Sequence, residues 1–270
     1  MKPTFESPRF RAAAGHVLCL HSSGSSGRQW APLATAWARG LAVAAPDLIG
    51  YGDGARWPIG KPASLTDEAE RLLPLLHAGG SHVVGHSYGA AVALQMALLR
   101  PDRVRSLTLY EPVRFALLFG GNDDGRASGE WIVGVGRRIG LDVVSGNLRL
   151  AARQFADYWS GDGAWDALDE RRRAALAERM PKVQAEFEAL FGDRVPAADY
   201  RALTMPVHLL GGTRSPLPAR LVLDILAACL PRVTRATIEG AGHMGPVTHA
   251  AVFAARLPAW LAAEPFGAAA

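Results

Sequence analysis

Six short runs rich in apolar and β-branched residues recur along the chain: HVLCL (16–20), LAVAA (41–45), HVVG (82–85), SLTLY (106–110), VHLLG (207–211) and RATIE (235–239). Most are continuous rather than alternating. That is the pattern of strands buried on both faces of a parallel sheet, since a strand covered on one face only alternates apolar with polar. Parallel neighbours cannot be joined by hairpins, so the intervening chain must cross back over the sheet, usually as a helix. Helical patterns do lie between the runs: 66–77, opened by Thr66 and Asp67 as a cap; 88–99, stopped by Pro101; 217–229, stopped by Pro231; and a last one near 247–263. The alternation predicts an α/β fold, a mostly parallel central sheet flanked by helices with right-handed crossovers.

One interval breaks this rhythm. Residues 111–206 contain no convincing strand but hold Trp131, Trp159, Trp165, Phe155, Tyr158, Phe187 and Phe191, with helical spacing over 147–159 and 169–191. The reading is a helical insertion, residues 112–205, lying over a core made of 1–111 and 206–270. Its aromatics are assigned to packing first and ligand contact second.

Composition narrows the function classes. Of 270 residues, 49% are apolar and 20% charged, which suits a packed globular chain and argues against disorder. The net charge is +4, but the cations are scattered; the densest run, Arg171–Arg172–Arg173, sits among Asp169, Glu170 and Glu178 and reads as a solvated helix face. No nucleic-acid partner is expected. Cys19 and Cys229 lack metal-site spacing, and no disulfide is expected between them. The opening MKPTFESPRF has no apolar signal-peptide core, and no run reaches the ~18 apolar residues that span a bilayer. The expectation is a soluble cytoplasmic protein without a membrane partner.

Chemistry concentrates in four loops, each following a strand: HSSGSSGRQW (21–30), PDLIGYG (46–52), GHSYG (85–89) and GAGHMGP (240–246). In this order they resemble the α/β-hydrolase superfamily, specifically small bacterial serine hydrolases with a helical cap; the resemblance covers nearly the whole chain and is weakest through 112–205. A serine between Gly85 and Gly89, at a strand end and before an Ala-rich helix, is the nucleophile-elbow pattern. The physical reason for the glycines is room, because strand and helix meet closely around a strained Ser87. A serine hydroxyl needs a base. The resemblance puts it at His243, with His249 in reserve. His16, His77, His82 and His208 read as structural, and His86 should point away from Ser87.

The acid is where the chain departs from most relatives. They carry it in a G-x-x-D turn after the strand at 207–211, where GGTRSP (211–216) offers Ser215. Glu111, closing SLTLYEP, matches the members that place the acid at the earlier strand end, and there it would orient His243; pairing with Arg114 is the bland alternative, and Asp47 the other carboxylate. The resemblance further implies an oxyanion hole from the backbone amides of Ser23 and Tyr88, although Ser22 stands where the family commonly has glycine. His21, Trp30 and Met244 are candidate pocket residues. The expected activity is hydrolysis of a carboxylic ester or related acyl bond on a small molecule with an apolar part, needing no metal or organic cofactor. Other chemistries of the same triad (C–C bond hydrolysis, acyl transfer, perhydrolysis) and a non-catalytic ligand-binding role stand as alternatives.

Overall fold

In the computed structural model, which describes residues 15–37, 41–58 and 61–262, six parallel strands form one sheet. They are β1 (His16–Leu20), β2 (Ala42–Ala44), β3 (Ser81–His86), β4 (Val104–Tyr110), β5 (Val207–Gly212) and β6 (Val233–Ile238), in the spatial order β2-β1-β3-β4-β5-β6. Every expected run is a strand, with ends shifted by a residue or two. Along β1, Leu18 and Leu20 enter one apolar core while Val17 and Cys19 enter the other, so both faces of the sheet are covered.

The larger core holds α2 (Leu65–Leu72), α3 (Tyr88–Leu99) and α7 (Leu217–Cys229), and the smaller one α1 (Ala31–Trp37) and α9 (Ala250–Ala262). Helix α3 is buried from Tyr88 through Ala97; apolar on every side, it can exist only where other elements enclose it. The two cysteines are free: Cys19 lies in the smaller core, and Cys229 packs against the larger one. Among the described residues no helix is long and apolar enough to cross a membrane.

Three details differ from expectation. The cap of α2 is Ser64, whose hydroxyl accepts from the Asp67 amide at 3.2 Å, so the helix starts before Thr66. It ends at Leu72, where Pro74 sits in a short 3-10 turn. The final helical stretch is broken into α8 (Gly245–Thr248) and α9, with His249 between them. Residues 1–10, read for a signal, lie outside the described residues, as does residue 263 of the last expected helix.

Between β4 and β5 the chain forms α4 (Asp123–Val144), α5 (Leu148–Ser160) and α6 (Glu170–Gly192). Helix α4 gave no distinct signal because it carries five glycines, which weaken helix propensity. Two of them serve packing instead: a Cβ at Gly129 would lie 2.8 Å from Phe119, and one at Gly136 2.9 Å from Phe191.

Candidate active site

The strand order reverses between β1 and β3, and at such a switch point the loops leaving the carboxyl ends of parallel strands open a crevice. Ser87 follows β3 directly and caps α3 with φ 56° and ψ −119°, a conformation costly for a side-chain-bearing residue. The glycines around it make that turn possible. A Cβ at Gly85 would stand 2.5 Å from the Ala90 Cα, and one at Gly89 2.4 Å from the His21 carbonyl oxygen. Gly85 thus clears space for α3, and Gly89 lets α3 lie against the end of β1.

His243, in the loop after β6, places Nε2 2.9 Å from Ser87 Oγ and Nδ1 2.6 Å from Glu111 Oε2. All three side chains are buried. Glu111 directly follows β4 and, at φ 47°, is the other non-glycine among the described residues with a left-handed backbone. Its second oxygen accepts from the Gly212 amide at 2.9 Å and from the Ser215 hydroxyl. Ser215 therefore does not leave the usual acid position idle; it donates to the carboxylate that has come in from β4. Arg114 turns away to Asp193 (3.0 Å), Tyr200 (2.6 Å) and Gln95 (3.0 Å). Asp47 binds the amides of Gly27 (2.6 Å) and Asp53 (2.8 Å), tying down its own turn and the start of the first helical segment. His249 is bonded to Thr248 at 2.9 Å.

The loop after β1 is held by a hydrogen-bond chain that runs to the His243 loop. Gln29 Oε1 accepts from the Ser22 amide (3.2 Å) and hydroxyl (3.0 Å), and its Nε2 donates to His86 Nδ1 at 3.0 Å. His86 Nε2 donates to the His243 carbonyl at 2.8 Å. An obligate donor at one end and an obligate acceptor at the other set the direction of every bond, and hence the neutral Nε2–H form of His86. Burial, then the neighbouring His243, hold the His86 pKa well below the usual range. Ser22, which stands where the family commonly has glycine, keeps a negative φ, and Gly24 (φ 67°) supplies the left-handed residue of this turn. His21 receives the Leu48 amide at 3.0 Å on Nε2 and donates from Nδ1 to the Ser22 carbonyl at 2.8 Å.

Burial lowers the pKa of His21 to about 4, and of His82, bonded to Ser106 Oγ at 2.7 Å, likewise to about 4. An unfolded histidine takes its proton near 6.5, so between about pH 6.5 and 4 the unfolded chain binds protons that the folded chain refuses. Stability is fully present above that window and falls as pH drops through it, by up to about 1.4 kcal/mol per unit per histidine. Urea unfolding at pH 7.0 and 5.0 checks this: His82→Gln should lose less stability between the two than the wild type, and equal losses would contradict it.

Beside Ser87 lies a small cavity of about 20 Å³, lined by Ser23, Ser87 and Glu186 and otherwise by apolar side chains including Phe155, Trp159 and Phe187. The candidate pocket residues His21, Trp30 and Met244 are not part of that lining. His21 is spent on its own loop, and Trp30 packs against Phe253 in the smaller core, ring centroids 6.0 Å apart. Met244 follows His243 but turns its carbonyl to the Val247 and Thr248 amides. The insertion supplies most of the wall instead. Trp159 stands over His243 with ring centroids 4.0 Å apart. Sequence reasoning did not single out Gln29 or Glu186, and it assigned Trp159 to packing first and ligand contact second; the spacing of 155 and 159, and of 183, 186, 187 and 190, marks one face of each helix but not what that face covers. Among the described residues no group of three or more His, Cys, Asp or Glu is arranged to hold a metal ion.

A hydroxyl, an imidazole and a carboxylate joined in this order can pass a proton from serine to histidine while the carboxylate holds the tautomer. Comparison with known proteins agrees with the fold. The chain is 39% identical to the lipase LipV of Mycobacterium tuberculosis over 99 residues, 36% of each chain. It is 29% identical to a 2-hydroxymuconate semialdehyde hydrolase of Pseudomonas putida over 82% of this chain and 76% of that one. The match thus spans only about a third of the lipase. Among solved structures, MGS-M2, an alpha/beta hydrolase enzyme from a Medee basin deep-sea metagenome library, superposes with a TM-score of 0.78 at 16% identity, covering 98% of this chain and 95% of that one. The model of the alpha/beta hydrolase family matches residues 17–256, nearly the whole described chain, and the protein belongs to that family.

Proposed function

We propose that the protein is a serine hydrolase that cleaves a carboxylic ester or related acyl bond through an acyl-serine intermediate. The observation that carries the reading is the buried relay Ser87 Oγ, His243 Nε2, His243 Nδ1, Glu111 Oε2, with steps of 2.9 and 2.6 Å across the histidine. Ser87 attacks the carbonyl carbon and gives its proton to His243, and Glu111 stabilises the imidazolium that forms. Tyr88 opens α3, so its amide has no carbonyl a turn earlier within the helix; with the Ser23 amide it receives the developing oxyanion. His243 then protonates the leaving group, activates water and returns the serine. Residues 112–205 act as a cap, closing the cavity with Phe155, Trp159 and Glu186.

A fluorophosphonate probe tests the nucleophile: one adduct, on Ser87, is expected, and no adduct there defeats the reading. The second reading, C–C bond hydrolysis on the same residues, draws on the long match to the 2-hydroxymuconate semialdehyde hydrolase. Rates on p-nitrophenyl acetate and on a vinylogous diketone separate the two.

Gln29 sits outside the reacting set but holds two loops of it. Gln29→Leu leaves Ser22 and His86 without their partners, which costs about 1–3 kcal/mol per buried group. We expect kcat to fall roughly tenfold to a hundredfold with KM little changed, because the oxyanion loop and the His243 loop loosen while the apolar wall stays. A rise in KM at constant kcat would show that Gln29 serves substrate binding instead.

A further inference from the structure

Helix α6 brings a lysine and a glutamate into the interior beside the cavity. Lys182 and Glu186 are four residues apart, 4% and 1% exposed, and Nζ lies 2.9 Å from Glu186 Oε1. The same ammonium reaches Glu68 Oε1 of α2 at 3.0 Å, and Glu68 is 2% exposed. Glu68 Oε2 accepts from the Ile49 amide at 3.0 Å, and Glu186 Oε2 from the Tyr51 hydroxyl at 2.9 Å. Lys182 also stands over the rings of Tyr51 and Tyr88, at 5.5 and 5.1 Å. The cluster holds two carboxylates against one ammonium, and its remaining partners are neutral, so it carries a formal excess of one negative charge.

We propose that this cluster makes the Ser87 cavity selective for uncharged or hydrogen-bond-donating groups and closes it to groups that end in a carboxylate; the proposal rests on the acyl-serine reading. Glu186 is the member of the cluster that lines the cavity, and no arginine or lysine joins it in that lining. The other buried ion pair of this region, Arg114 with Asp193, is balanced within itself. Arg179, a turn before Val183 on α6, is only half-buried and spends its guanidinium on the Gly24 carbonyl at 2.7 Å. A substrate carboxylate placed in this cavity meets a like charge across a few ångströms of poorly screened space, a discrimination of about a hundredfold. A hydroxyl or an ammonium in its place finds on Glu186 lone pairs that Lys182 and Tyr51 leave open, since each carboxylate oxygen has two.

Methyl butyrate and monomethyl succinate test this, because their acyl groups differ only in a methyl against a carboxylate at the tip. Methanol release by the wild type should favour the butyrate by about a hundredfold in kcat/KM. Glu186→Gln keeps the shape and both neighbours and removes the charge, so it should narrow that preference at least tenfold by raising the succinate rate. Glu68→Gln, which removes a charge behind the wall, should narrow it less. Equal rates on the two esters in the wild type, or a ratio unmoved in a folded Glu186→Gln protein, would overturn the inference. If the wild type cleaves neither ester, fluorophosphonate labelling of Ser87 decides the acyl-serine reading separately, and calorimetric binding of butyramide against succinamate still decides the charge preference: tighter butyramide supports it, and equal or tighter succinamate overturns it.

Discussion

Ser87→Ala should lower turnover by about a millionfold, the scale seen when a nucleophile that works as a unit with its base is removed. The folded state should be nearly untouched. Alanine meets the same backbone cost at φ 56° as serine does, and the deleted hydroxyl bonds only His243, at 2.9 Å. Comparable melting curves together with the lost activity would place the defect in the chemistry. Activity within tenfold of wild type would mean that another group attacks the substrate. Loss of both fold and activity is the less informative pair, and fluorophosphonate labelling of the wild type then settles the nucleophile directly.

Glu111→Gln should cost about ten-thousandfold in kcat, the scale of replacing a triad carboxylate by its amide. The surroundings explain why so small a change is so severe. One end of the Glu111 carboxylate faces the Gly212 amide, which can only donate. A glutamine must therefore turn its oxygen to Gly212 and its NH2 to His243 Nδ1. The imidazole then accepts on Nδ1 and carries its proton on Nε2, pointing at Ser87, where it cannot act as base. Nitrogen NMR of His243 reads this tautomer directly, and kcat measured beside Asp47→Asn supplies the comparison. Asp47 holds the Gly27 and Asp53 amides and not His243, so its variant should lose stability rather than rate. A mild Glu111→Gln with a severe Asp47→Asn would overturn the assignment.

Much of the fold was legible because the signals are local. Runs such as HVVG and VHLLG carry no polar alternation and so announce strands covered on both faces, and they are β3 and β5. Helices 88–99 and 217–229 came out with the expected ends, each bounded by proline two residues on. The glycines around Ser87 likewise report a backbone need that acts within a few residues. The cap of α2 was misplaced because Ser64, Thr66 and Asp67 are all competent cap residues, and the choice among them depends on where the incoming chain leaves the loop. Helix α4 was missed because its glycines serve close packing against phenylalanines brought from elsewhere in the insertion.

The residues around the site divide along the same line. Ser87, His243 and Glu111 each end a strand or sit in a loop directly after one, so a parallel sheet sends all three to one edge whatever the details of packing. Their contacts, across 132 and 156 residues of chain, follow from that topology. Gln29 between Ser22 and His86, Trp159 on the imidazole, Ser215 on Glu111, and Lys182 between two carboxylates follow from nothing local. Periodicity tells which face of a helix is turned inward, and a turn's glycines tell which dihedral angles it needs. Neither tells which atom of a distant segment will stand opposite, because that is set by the close packing of whole elements, where a displacement of an ångström separates a hydrogen bond from none.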